Sequence, residues 1–327
     1  MNSMKTVLIF PGYGSQYVGM AKDLYDEHRL VQEYFEEASN CVGENFVKLC
    51  FASSEAELAG ITNAYLSLFL VCCAIFDLIS KETSCVPDAV TGFNQGEYAA
   101  LFAAGGMSFP DGLYLLKKYA LLYETLLEDI NARVITVSDI DLAVMEDICV
   151  RATTSSESGS EKAFIAIYYK PNEFVISGHS PALDRVRDFV SDAGGTVTEI
   201  GLGVGLHSPV MDMVYHGFRP YIEKVDCKTL NTPLVSEVFG SELIVGCQEV
   251  KELVSNHINA PVRWTAVTAR LAEYDTIIQV GPGNALCDML RKQYPDKRIL
   301  TVHNSAGLNE LKLLYPLLEE SKQLEQL

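Results

Sequence analysis

Positive charge is scarce in this chain. Its 327 residues include 25 Lys+Arg against 43 Asp+Glu, a formal net charge of -18. A protein that binds nucleic-acid backbone needs a dominant basic surface to release counterions, so general nucleic-acid binding is excluded and only local basic patches remain. Cysteine pairing is missing as well. The nine cysteines are an odd, scattered set without a Cys-x-x-Cys spacing, and Cys72 and Cys73 adjoin inside an apolar stretch. Buried free thiols in a reducing cytosol fit this better than a disulfide framework or a zinc site, so no metal is expected. The run Thr6 to Phe10 is too short, and wrongly flanked, for a signal peptide. No apolar run is read as reaching the roughly 18 residues of a membrane span. The expectation is a cytoplasmic chain bound to no membrane.

What is present is core-forming. Hydrophobic residues make up 48% and charged ones 21%, the balance of a globular chain. Thr6 to Phe10 reads as a buried strand, and Gly12-Tyr13-Gly14-Ser15-Gln16 as a tight loop opening a helix. That loop has no Gly-Lys-Ser/Thr for a P-loop, and Tyr17 stands where the dinucleotide fingerprint needs its third glycine. Its amides therefore serve something other than a nucleotide. Residues 65–80 are apolar nearly all round, as in a central buried helix. Further short buried strands are expected at Ala89 to Phe93, Ile277 to Val280 and Ile299 to His303.

The middle reads differently. Strand (Ala132 to Val137), helix (Asp139 to Arg151), strand (Ala163 to Tyr169), strand (Glu173 to Gly178), helix (Pro181 to Ala193) and strand (Thr196 to Gly201) make the βαββαβ order of a ferredoxin-like unit. The fold expected is α/β: a large body of residues 1–130 and 202–327 with an insert at 131–201. A last helix is expected over Asn309 to Leu324, kinked or split at Pro316.

Gly92-Phe93-Asn94-Gln95-Gly96 has the frame of a nucleophile elbow between a strand and a helix. The central residue of such a turn is held in a strained conformation at the helix N-terminus, and small residues on either side let strand and helix approach. Asparagine tolerates positive φ, yet its amide is no nucleophile.

Phe10 to Gln16 with Val18-Gly19-Met20, Gly92 to Ala100, Leu206 to Met211, Pro261 to Trp264 and Val280 to Asn284 together resemble, in order, the malonyl-CoA:acyl-carrier-protein transacylase family, which includes polyketide synthase acyltransferase domains. The resemblance implies an α/β-hydrolase-like body with the ferredoxin-like insert, and a ping-pong acyl transfer between acyl-CoA and the phosphopantetheine thiol of an acyl carrier protein, with no bound cofactor. It also implies fatty-acid or polyketide biosynthesis as the setting, with a synthase as a further partner. It places Asn94 at the nucleophile position and His207 as general base. The backbone amides of Tyr13 and Gln95 become the oxyanion hole, and Asn63, Phe93 and Tyr119 the acyl-binding positions. His257 falls where the family offers a carbonyl to its histidine.

The departures are specific. Asn94 replaces serine, by natural degeneration or by a deliberate change. Tyr119 replaces the arginine that pairs a malonyl carboxylate, Tyr13 and Asn63 replace glutamines, and Phe93 replaces a histidine. Without the arginine an uncharged acyl group is favoured over malonyl. Asn63 also reads simply as a helix cap, Tyr119 as a core aromatic and His257 as a surface residue. Lys117-Lys118 and the run Arg291-Lys292 to Lys297-Arg298 are the basic clusters able to meet an acidic carrier protein. Three functions follow: an acyltransferase with its nucleophile replaced, a non-catalytic carrier-protein-binding pseudoenzyme, or a His207-dependent thioester hydrolase or decarboxylase.

Overall fold

The computed structural model describes residues 4–127, 131–155, 160–200 and 206–317. Ten strands lie among them, in chain order β1 (Thr6–Phe10), β2 (Ala89–Gly92), β3 (Ala132–Ser138), β4 (Ala163–Lys170), β5 (Glu173–His179), β6 (Thr196–Glu199), β7 (Leu234–Val235), β8 (Leu243–Ile244), β9 (Thr276–Val280) and β10 (Arg298–Val302). The larger sheet has the order β10-β9-β1-β2-β7-β8. It is parallel from β10 through β7, with β8 antiparallel at the edge. Every residue of β1, β2 and β9 is buried, because helices cover both faces of a parallel sheet; such strands read as continuous apolar runs. The short β7 and β8 were not legible as strands.

One face of this sheet is covered by the helix Ile61–Glu82, fourteen of whose residues are buried. By length and composition this helix would also cross a membrane, which corrects the reading that no segment is long and apolar enough. Its apolar circumference is spent inside the protein, against Phe10, Phe102 and Phe109 among others. The opposite face packs on Trp264, Val267 and Leu290.

The smaller sheet, β4-β5-β3-β6, is antiparallel. With helices Leu142–Thr154 and Ser180–Asp192 it forms the ferredoxin-like unit inserted in the α/β-hydrolase-like body. β6 stops at Glu199, short of the expected Gly201; that residue and the expected boundaries at 130 and 202 lie outside the described residues. The smaller sheet is joined to the body through main chain. Ile167 of β4 bridges Val262 in parallel, with Val262 N–H donating to Ala166 O at 2.8 Å and Tyr168 N–H to Val262 O at 2.9 Å. The final helix runs Ser305–Leu314, capped by the Asn304 side chain accepting from Gly307 N–H. It ends before Pro316, where a break was expected; the expected part beyond 317 lies outside the described residues.

Candidate functional site

Strand β2 ends at Gly92 and the helix Gly96–Ala103 begins four residues later. A Cβ on Gly92 would stand 2.1 Å from Glu97 N, and one on Gly96 would stand 2.1 Å from Phe10 O. Only glycine allows strand and helix to meet this closely. Between them Asn94 takes φ 53°, the left-handed region, where asparagine is among the least penalised non-glycine residues.

Both main-chain groups of Asn94 are held. Its N–H donates to Glu237 Oε2 at 3.0 Å, and its carbonyl accepts from His257 Nε2 at 2.9 Å. The side-chain Oδ1 position lies 3.1 Å from His207 Nε2, and His207 Nδ1 lies 3.0 Å from the His257 carbonyl. A carbonyl only accepts, so Nδ1 carries the hydrogen. Glu237 N–H in turn donates to Glu97 Oε1 at 3.1 Å. Glu97, Glu237 and His257 are all 0% exposed.

Burial dominates the electrostatics. It drives His207 down to about 3, with neighbouring His257 lowering it further and the bonds to the His257 and Ala260 backbone opposing. The ring is therefore neutral across the physiological range. Glu97 is pushed up to about 8 by burial and then by the charge of Glu237. Glu237 is also pushed up to about 8 by burial, against the opposing Asn94 N–H. Burial lowers His257 too. The 3.5 Å contact between His257 Nε2 and Glu237 Oε1 is therefore one between neutral groups, since both shifts disfavour the charged forms. Glu97, Glu237 and His257 place one donor atom each within 4.8 Å of one another, but His257 Nε2 already donates to Asn94 O.

Asn94 opens onto a cleft of about 630 Å³ between the two sheets. Its walls are Pro11 to Tyr17 of the glycine loop, Phe93, Tyr65, Tyr123, Val134, Ile167, Tyr169 and Val175, with residues 282–286 opposite. Among the described lining residues none is cationic, and Glu173 is the one charged group. The N–H groups of Tyr13 and Gln95 donate to no acceptor among the described residues.

The structure brings together Asn94, His207, Gln95, Tyr13 and Phe93, but not Asn63 or Tyr119. Asn63 does not line the cleft; its Nδ2 donates to Glu57 O at 2.8 Å beside the start of its helix. Tyr119 is 0% exposed, packed one layer behind the wall against Tyr65, Tyr123 and Phe218. The aromatic groups that face the cleft there are Tyr65 and Tyr123. His257 is no surface residue; its carbonyl orients His207 as the resemblance implied.

Residues 7–310 match the family of the acyl transferase domain. The chain belongs to this family. Among similar curated proteins are malonyl CoA-acyl carrier protein transacylases of Bacillus subtilis (strain 168), 26% identical over 91% of this chain and 92% of theirs, and of Staphylococcus aureus (strain MRSA252), 26% identical over 94% and 99%. Among solved structures, the malonyl-CoA:acyl carrier protein transacylase of Xanthomonas oryzae pv. oryzae superposes with a TM-score of 0.88 at 23% identity over 96% of this chain and 99% of that one. A type II polyketide synthase acyl-carrier protein in complex with its malonyl-transacylase includes a chain that superposes with a TM-score of 0.87 at 21% identity, over 94% and 98%. Within this family's fold, the chain sets His207 and its supporting carbonyl against Asn94 at the strand–helix turn.

Glu97 and Glu237 went unnoticed in the sequence. The signal was there: Glu97 directly precedes the apolar helix segment Tyr98 to Leu101, and Glu237 directly precedes the apolar Val238-Phe239. A carboxylate inside an apolar run needs a partner or a proton.

Proposed function

We propose that this chain is an acyltransferase-family protein that holds acyl-CoA and acyl-carrier-protein thioesters of fatty-acid or polyketide biosynthesis in the cytoplasm. The acyl carrier protein and the synthase it serves are its partners, and it needs no bound cofactor. Its nucleophile position is filled by Asn94, and its cleft takes uncharged acyl groups. The observation that carries this reading is the bond between the elbow side chain and a neutral, carbonyl-oriented His207, the arrangement in which a serine hydroxyl would be deprotonated. The N–H groups of Tyr13 and Gln95, which have no acceptor among the described residues, are suited to receive a thioester oxygen. An amide in that place forms no acyl-enzyme, so the chain as it stands binds thioesters without ping-pong turnover.

The absence of any cation among the described cleft residues, with Glu173 beside them, supports uncharged acyl groups. A malonyl carboxylate there would be desolvated without a partner. The non-catalytic carrier-binding reading draws on the same Asn94 geometry. Water activation by His207 is weaker, because Asn94 occupies Nε2 at 3.1 Å.

The test is intact-mass spectrometry of the chain and its Asn94→Ser variant against a panel of acyl-CoA and acyl-carrier-protein thioesters. Asn94→Ser gains an acyl mass, more from acetyl or longer uncharged chains than from malonyl, while the parent chain gains none. Loss of an elbow-type nucleophile costs on the order of a millionfold in rate in serine hydrolases, so the contrast is all or nothing. No adduct on Asn94→Ser with any thioester sinks the acyltransferase reading. Carrier-protein binding by calorimetry without turnover would leave the pseudoenzyme.

A further inference from the structure

We propose that Glu237 and His257 are positioning residues: a clamp that grips the main chain of residue 94, and so sets the elbow against His207 whichever side chain stands there. Three observations carry it. Glu237 takes the N–H of residue 94 at 3.0 Å and the His257 ring donates to its carbonyl at 2.9 Å, so both polar groups of the left-handed residue are gripped from outside the turn, the carbonyl also accepting from Glu97 N–H at 3.0 Å within it. The same His257 turns its own carbonyl to His207 Nδ1 at 3.0 Å. One residue thereby holds both halves of the Asn94–His207 pair. The clamp is itself anchored, since the main chain of Glu237 is bonded to Glu97 Oε1 and the His257 ring lies edge-on to Tyr98 at 5.4 Å between centroids.

A left-handed turn costs free energy and persists only where its surroundings over-determine it. In the sequence the elbow's glycines make the turn sterically possible; the clamp makes it the one that is populated. Because none of these contacts uses the side chain of residue 94, the frame survives the loss of a nucleophile. The clamp works independently of the acyl group and of any turnover.

The geometry demands opposite tautomers of two adjacent histidines. His207 must carry its hydrogen on Nδ1 and His257 on Nε2, because each donates to a carbonyl. The experiment is long-range proton–nitrogen NMR of the imidazoles in the full chain, with amide hydrogen exchange at residue 94. The parent chain shows the two opposite tautomers and a protected Asn94 amide. Glu237→Gln, whose amide oxygen still accepts, and His257→Gln, whose amide still donates, keep exchange at residue 94 within a few-fold. Glu237→Leu speeds it by roughly 10- to 100-fold, and His257→Leu, which keeps the carbonyl that His207 Nδ1 donates to but loses the ring that holds the Asn94 carbonyl, speeds exchange at residue 94 by several-fold or more.

Leucine variants that fold and leave both readouts unchanged overturn the clamp. So does a parent chain in which the two histidines share one tautomer, a result that needs no variant to fold. A rise in melting temperature on adding zinc or manganese ions, abolished by Glu97→Gln, also overturns it, since the carboxyl groups would then serve a cation.

Discussion

Asn94 and His207 share a bond that settles which way the asparagine amide points. With Nδ1 donating to the His257 carbonyl and the ring neutral, His207 has only a lone pair to offer at Nε2. An amide oxygen 3.1 Å away would set two acceptors against each other, so the amide turns its NH₂ to the ring. Asparagine thereby donates where a serine hydroxyl would donate, which is how the histidine keeps its orientation without a nucleophile.

Replacing Asn94 with Asp removes that donor and supplies a negative charge instead. The His207 ring then gains a proton more readily, and its value rises from about 3 by roughly 1–3 units. An NMR titration of the His207 ring reads this directly, and an unchanged midpoint would mean that residue 94 does not face Nε2.

The buried carboxyl groups make stability depend on pH in an unusual sense. Glu97 and Glu237 hold protons up to about 8, whereas the unfolded chain releases them near 4.5. Between those values the folded state binds more protons, so these groups contribute less stability as pH rises. His207 works the other way: its folded value is depressed, so it costs stability as pH falls through 6.5 towards 3. Between pH 6.5 and 8 only the carboxyl contribution remains, a loss of about 1 kcal/mol per pH unit for each group. Urea denaturation across that window should show a shallower decline for Glu97→Gln than for the parent chain.

Tyr119→Arg, which restores the residue type that the resemblance calls for, is expected to destabilise the protein by about 3–5 kcal/mol. The ring is fully buried among Tyr65, Tyr123 and Phe218, and none of these would pair a guanidinium. Chemical denaturation measures the loss; a wild-type midpoint would show that this layer opens to the cleft.

Gly96→Ala drives a methyl group to 2.1 Å from the Phe10 carbonyl oxygen, a backbone atom in the central strand. The expected cost is about 3 kcal/mol or more, accompanied by loss of protection at the Asn94 amide. A variant with unaltered melting temperature would contradict the close strand–helix approach.

Much of this was legible because local chemistry and global fold agree. The apolar runs of β1, β2, β9 and β10 are strands buried on both faces, and the βαββαβ order of the insert follows from alternation and turn residues. The two-residue strands β7 and β8 were illegible, since a pair of residues carries no period; β7 is placed by pairing with β2, and β8 by pairing with β7. In the site, the turn around Asn94 was legible from the elbow frame, while His207, Phe93, Gln95 and Tyr13 were placed beside it through the resemblance. Motif position reports where a residue stands along the chain and not what lies between it and the cleft: Tyr65 and Tyr123 stand in front of Tyr119, and Asn63 turns its amide to Glu57 O. Glu237 reaches Asn94 across 143 residues of chain, a contact that no local pattern encodes.

The main-chain bridge between Ile167 and Val262 bears on modularity. Val262 lies five residues after His257, so the backbone that braces the elbow and its histidine is stitched to an edge strand of the insert. The insert is thus not a detachable decoration. A chimera that takes its insert from a relative would have to reproduce the Ala166 to Tyr168 edge, or the graft would unfasten the segment on which the His207 orientation depends.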